Sequence, residues 1–362
     1  MSLADNATCI IGIGATTAVG LDAASTAAAV RAGVSGFQEH PYMINQEGEP
    51  YLLAMVPSID PGISGAKRYI ELMSPSISEA LMPLQHLSEN KFEITVILGL
   101  PEKRPGILDD LAEKVASSIQ TNTSEFYKIK DIKIAYKGHA AGLMALESAS
   151  KLFAAGDCEF CLVGGVDSYI DPDTLDWIED NEQLHIPSNA WGFIPGEASA
   201  FCLVCSVKTA NRYNLPIKAQ LLAIATAHEE NCIKTETICI GEGLTSAVSK
   251  ALQVLPDGVK INQTYCDQNG EAYRADEFGF MLARLSKYFV DPSEYVAPAD
   301  CWGDVGAASG VLFVQLVCGA AEKGYCIGDI SLLWGSSEGG ERGATLVRTN
   351  GNEKNDLQER II

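Results

Sequence analysis

Positive charge is scarce in this 362-residue chain: 26 lysines and arginines stand against 47 aspartates and glutamates, a formal net charge of −21. That balance leaves no chain-wide basic field to hold a phosphate backbone, so nucleic-acid binding is not expected. Long hydrophobic runs are missing too. The longest late one, Gly310 to Ala321, falls short of the roughly 18 to 20 residues that span a bilayer, and no membrane association is expected. Histidine is rare, with His40, His86, His139, His185 and His228 the full set, which limits where imidazole chemistry can reside. No stretch is Pro-rich or of low complexity, so no linker is expected. The opening Met1-Ser2-Leu3-Ala4-Asp5 sets no basic residue ahead of an apolar stretch, unlike a secretory signal, and a cytoplasmic location is expected.

What is present is a globular composition, 47 % apolar and 20 % charged, in a chain too long for one ordinary core, so two fused halves or domains are expected. Eleven cysteines, an odd number spread through apolar segments, read as reduced, buried thiols. Two Cys-x-x-Cys pairs, Cys158/Cys161 and Cys202/Cys205, have zinc-knuckle spacing. The second lies inside the apolar strand Phe201 to Cys205, where residues three apart face opposite sides, so its sulfurs diverge and no metal is assigned.

Apolar periodicity alternates between strand and helix. Strands are predicted at Cys9 to Gly14, Ile94 to Gly99, Ile132 to Tyr136, Phe160 to Val166 and Ala198 to Val207, with helices at Leu21 to Ala32, Ile107 to Gln120 and Ala140 to Ala155. A second block follows Leu215-Pro216: strand Ile217 to Ala227, helix Gly243 to Leu255, strand Lys260 to Cys266, helix Arg274 to Ser286, helix Ala307 to Ala321, then strands at Ile330 to Trp334 and Ala344 to Val347. Alternation of this kind means an α/β fold with covered sheet faces.

Three further features carry possible chemistry. Gly12-x-Gly14 after a strand suggests a dinucleotide loop, but the third position is Thr17, and a tight strand-to-helix turn accounts better for the glycines. Lys128, Lys130, Lys133 and Lys137 concentrate positive charge in an acidic chain; they form either a docking patch for an anionic carrier or an ordinary solvated edge. Finally, Lys137-Gly138-His139-Ala140-Ala141-Gly142 lies at a sharp strand-to-helix turn. Such an elbow holds its residue beside free backbone N–H groups that can stabilise an oxyanion.

The order of motifs is distinctive. It runs from Cys9 to Gly20 and Arg31-Ala-Gly-Val-Ser-Gly36, through Gly138 to Glu147 and Val163-Gly-Gly-Val-Asp-Ser168, to Trp191-Gly-Phe-Ile-Pro-Gly-Glu-Ala198. It continues through Gly241-Glu-Gly243 and Gly303-Asp-Val-Gly-Ala-Ala-Ser-Gly310 to the glycine-rich Gly335 to Val347 stretch. This order resembles the β-ketoacyl synthases of the thiolase superfamily. The resemblance implies a five-layer αβαβα fold of pseudo-duplicated halves with mixed sheets, residues 1–207 and 208–350, followed by a polar tail at 351–362. It also implies a homodimer, acyl thioesters on acyl carrier protein or coenzyme A as substrates, and a place in fatty acid or polyketide biosynthesis. Lys133, Lys137, Gly138, Asn269 and Glu338 are the candidate acyl- or carrier-binding residues, and no cofactor is called for.

The same correspondence exposes departures. His139 stands at the cysteine nucleophile, Asp267 and Asp304 at the two histidines, and Ala299 at the lysine. Without the thiolate the acyl carrier is lost, and aspartates would repel the carbanion formed on decarboxylation, so standard condensation is not expected. Two readings remain. His139, oriented by Asp304 or Asp267, catalyses acyl transfer or thioester hydrolysis; the polar loop of Asp267, Asn269, Glu271 and Arg274 favours retained chemistry. Alternatively, the chain is an inactive, chain-length-factor-like subunit that pairs with an active synthase.

Overall fold

The computed structural model describes residues 7–349 apart from 86, 88–90, 123, 234 and 236; the polar tail, 351–362, lies outside the described residues. Thr8–Thr17 forms β1, Ala23–Arg31 α1, Phe37–Ile44 β2, Pro50–Ala54 β3, Gly65–Ala80 α2, Met82–Gln85 α3, Phe92–Leu100 β4, Leu111–Thr121 α4 and Tyr127–Tyr136 β5. Ala141–Ala155 is α5, Phe160–Ser168 β6, Pro172–Asp180 α6, Glu197–Ser206 β7 and Val207–Arg212 α7. Then follow β8 (Ala219–His228), α8 (Glu242–Leu252), β9 (Gln263–Cys266), α9 (Ala272–Leu285), α10 (Ala299–Trp302), α11 (Ser309–Lys323), β10 (Ile330–Ser336) and β11 (Glu341–Arg348).

Nine strands form one mixed sheet in the order β5, β4, β6, β7, β1, β8, β11, β10, β9, and β2 pairs with β3 in a separate hairpin. Outward from the centre the order repeats. Next to β1 lies antiparallel β7, then β6, then β4; next to β8 lies antiparallel β11, then β10, then β9. Only the N-terminal side adds an outermost strand, β5. The two sides join through just two residue pairs, Cys9 with Gln220 and Ile10 with Ala219.

Side chains on buried strands alternate between faces, and this divides the interior into separate cores. Ile10, Cys161, Val163 and Cys202 face the central core with α5 and α11, whereas Cys9, Ile11, Phe160 and Cys205 face an outer core with α2 and α4. On the C-terminal side α8 and α9 cover Leu332, Trp334 and Leu346. Helices, the N-terminal side of the sheet, the central helix pair, the C-terminal side of the sheet and further helices make the five layers. Cys202 and Cys205 thus do point to opposite sides of β7. The central helices cross closely because Gly142 and Gly310 face each other's chain: a Cβ on Gly142 would sit 2.9 Å from Val311 Cγ2, and one on Gly310 2.9 Å from Leu143 Cγ.

One expectation is revised. β1 continues to Thr17, so Gly12 and Gly14 lie within a strand and not at its exit turn. Added Cβ atoms there would stand 2.1 Å from the carbonyl oxygens of Ala80 and Ser76, so these glycines admit the backbone of α2 against the sheet. Among the described residues no helix is long and apolar enough to cross a membrane.

Candidate functional site

Both halves build the same elbow ahead of a central helix. After β5 the chain turns through Gly138, with φ 55°, into one tight turn, Gly138–Ala140, and then α5; Gly306, with φ 45°, opens the turn Gly306–Ala308 ahead of α11. Glycine suits these left-handed positions because a Cβ is strained there. His139 occupies the first elbow, only 4 % exposed, and Ala307 holds the equivalent position in the second.

Nε2 of His139 lies 2.8 and 2.9 Å from the two carboxylate oxygens of Asp304. Asp304 also accepts the Gly306 N–H at 2.8 Å and the Asn269 amide at 2.6 Å. Arg274, on α9, brings Nη2 to 3.4 Å from the same imidazole nitrogen, while Nη1 donates to Asp267 Oδ2 at 3.0 Å and to the Ser336 carbonyl at 2.8 Å. Its Nε donates to Glu271 Oε2 at 3.1 Å. Gln183 spans Glu271 and Glu338 with one amide nitrogen, at 2.9 and 2.7 Å. His139 and Asp304 therefore touch directly, and Asp267 joins them through Arg274. The sequence marks Arg274 only as part of a polar loop; the structure makes it the link.

Burial and Arg274 pull the His139 pKa down, but the charge and hydrogen bond of Asp304, with the charge of Asp267, more than offset them, and the net shift is upward from 6.5. Burial pushes the Asp304 carboxyl up, yet the adjoining imidazolium and Arg274 hold it well below the usual range. The pair is thus ionic, with Nε2 donating. Burial works against the Arg274 charge as well, and the surrounding acidic groups keep it firmly protonated. Two cations and the carboxylates of Asp304, Asp267 and Glu271 close on one another out of water.

Both elbows have a backbone N–H already engaged. Ala140 N–H donates to Ser337 Oγ at 2.9 Å, and Ala307 N–H to Asp167 Oδ2 at 3.0 Å. Asp167 pairs with Arg104 at 2.6 Å, and that guanidinium lies 4.0 Å over the Tyr169 ring. Sequence reasoning missed this cluster, along with Ser337 and Gln183, because the partners are remote in the chain.

His139 borders two cavities of unequal size. An open cleft of about 510 Å³ is lined by Glu102, Arg104, Gly138, Tyr169, Glu229 and Glu338 among others. The second void, walled by Cys266, Ala299, Trp302 and Phe313, is about 10 Å³, roughly the space of a single water. Neither Lys133 nor Lys137 lines the cleft. Lys133 is exposed on β5, Lys137 pairs with Glu341, and Lys128 and Lys130 both pair with Glu93, at 2.7 and 3.2 Å. One trio among the described residues, Glu229, Cys239 and Glu277, brings metal-ligand atoms within 4.8 Å of one another. Each carboxylate there already has a partner, the Gly243 N–H for Glu229 and Arg342 for Glu277.

No protein-family profile and no curated protein matches the sequence. Solved structures do. The type II polyketide synthase acyl-carrier protein in complex with its ketosynthase bound to the hexaketide matches at TM-score 0.76 and 14 % identity, over 95 % of this chain and 99 % of that one. The ishigamide ketosynthase/chain length factor gives 0.75 and 16 % over 95 % and 99 %. The ketosynthase from module 6 of the bacillaene synthase of Bacillus subtilis 168 gives 0.74 and 12 % over 95 % and 72 %. At these identities the likeness is one of fold: the chain has the thiolase-like fold of the ketosynthases.

Proposed function

We propose that this ketosynthase-fold chain is a non-condensing partner subunit, pairing with an active synthase in polyketide or fatty acid assembly. The closed ion pair at His139 carries the reading. An acyl-accepting nucleophile needs a free lone pair, an oxyanion donor and room for its chain. Here Asp304 engages Nε2, Ser337 occupies the Ala140 N–H, and the void that His139 shares with Cys266, Trp302 and Phe313 is only about 10 Å³. The similarity to the ishigamide ketosynthase/chain length factor supports such a pairing by analogy of fold. An acyl carrier protein, which accompanies the ketosynthase in the similar type II polyketide synthase complex, would meet the pair at an anion-binding edge to which Lys133 contributes.

A second reading rests on the 510 Å³ cleft that reaches His139 and Gly138. Asp304 would orient the imidazole through Nε2, and Nδ1, once the imidazolium has released its proton there, would be the base for hydrolysis of an acyl thioester from the carrier protein or coenzyme A. One experiment separates the two. The purified chain is incubated with acyl-coenzyme A and acyl-carrier thioesters, alone and with a ketosynthase from the same organism, and its mass is measured in the mixture. A 1:1 complex without turnover by the isolated chain is expected. Turnover by the isolated chain that falls at least about 100-fold in His139→Ala overturns the subunit reading and establishes the second.

A further inference from the structure

The two sides of the sheet meet at only Cys9 and Ile10 of β1, and the β1–β7 register slips between Ile10 and Gly12. Beyond that point β1 leaves β8, and a groove of about 1,120 Å³ opens at the seam, sharing no lining residue with the cleft at His139. Its walls are apolar and small. Ala24 and Ala28 present an exposed face of α1, and Ile13, Met82 and Leu215 line the groove with them. Helix α1 sits deep enough to shape the groove because Gly319 of α11 faces Ala27, where an added Cβ would be 3.1 Å away.

Charge at this groove runs against that of the chain. Arg31, at the last turn of α1, is held 3.9 Å over the Tyr325 ring, and Lys323 ends α11; neither has a carboxylate partner among the described residues. The two lining carboxylates are taken: Glu322 pairs with Lys218 at 3.1 Å, and Glu79 accepts the N–H groups of Ala15 and Ala23, each at 3.1 Å. An apolar trough with two cations that have no carboxylate partner among the described residues, in a chain of net charge −21, is complementary to a ligand with an aliphatic body and an anionic end. We propose that the seam groove binds a long-chain carboxylate, its chain along the alanine face of α1 and its carboxylate between Arg31 and Lys323.

Laurate, titrated below its micellar concentration into the full chain and followed by calorimetry, tests this against dodecyltrimethylammonium, which has the same chain and opposite charge. Saturable 1:1 binding of laurate is expected, at least tenfold tighter than the ammonium. Ala28→Trp, a solvent-facing change that fills the trough, should weaken laurate at least tenfold. The double reversal Arg31→Glu/Lys323→Glu should do the same and remove the preference for the anion, with circular dichroism confirming that each variant is folded. Absence of laurate binding, equal affinity for the ammonium, or laurate binding unmoved by both variants overturns the proposal.

Discussion

The elbows at 138–140 and 306–308 have the same backbone and opposite chemistry. Each lies against a glycine of the other half. A Cβ on Gly165 of β6 would stand 2.1 Å from the Ala307 carbonyl oxygen, and one on Gly335 of β10 3.1 Å from that of His139. Each has an N–H held by an acceptor from that strand or the residue after it, Asp167 within β6 for Ala307 and Ser337 just past β10 for Ala140. The fold therefore asks for a glycine, a tight turn and an acceptor, and alanine satisfies the remaining position at 307. The imidazole and its carboxylates at 139 answer no need of the fold. Buried ion pairs cost desolvation and seldom add net stability over apolar packing, so stability does not account for this cluster; in the proposed subunit it would close the first elbow to an acyl group.

Removing the arginine of each elbow tests that difference most strongly. Arg274 has a 1 % exposed side chain and binds Asp267 and Glu271; Arg274→Met leaves them with no cation but His139 and should cost about 3–5 kcal/mol in denaturant unfolding. Arg104, 7 % exposed, borders the open cleft together with Asp167, where water can take its place, so Arg104→Met should cost about 1.5–3 kcal/mol. Equal losses would mean that the two clusters bear alike on the fold.

Much of this was legible in the sequence. Long apolar strands and the two alanine- and leucine-rich helices could be placed because burial on both sides leaves an unbroken pattern. The first elbow was legible from Gly138; that Asp304, and not Asp267, would lie against His139 was not, because the sequence left both open as its orienting group. The sequence pattern assigns no element to residues 37–85, where β2, β3 and α2 lie; Pro75 sits inside α2 and reads as a breaker. Links such as Arg274 to Asp267, Arg104 to Asp167 and Ser337 to Ala140 were hidden, because side-chain pairing between distant segments leaves no periodic trace. The glycines at 12 and 14 misled for a related reason: what they accommodate is the backbone of another element.

A gentler test compares the two glycines under the elbows. Gly165→Ala drives a methyl into a backbone oxygen at 2.1 Å, which neither strand nor elbow can yield without moving, and about 1–3 kcal/mol of destabilisation is expected. Gly335→Ala meets the His139 carbonyl at 3.1 Å, a contact relieved by a shift of tenths of an ångström, and under about 1 kcal/mol is expected. Thermal unfolding of the two variants measures the difference. The reverse order would place the tighter half-to-half contact at the charged elbow.

The smallest effect is one of pH. Asp304 is held below its ordinary 3.8, so its contribution to stability is present above that pH and is lost as pH falls through the folded value. His139 is raised above 6.5, so its contribution is full below 6.5 and is lost as pH rises through the folded value. The pair therefore favours the folded chain most between about pH 3.8 and 6.5. The advantage of the native protein over Asp304→Asn should narrow as thermal unfolding is followed from about pH 5 to 9. Gly335→Ala changes no charge, so its offset from the native protein should stay level over the same range. An Asp304→Asn difference equally level would mean that His139 is neutral in the folded chain, and the closure of this elbow would then rest on Arg274 alone.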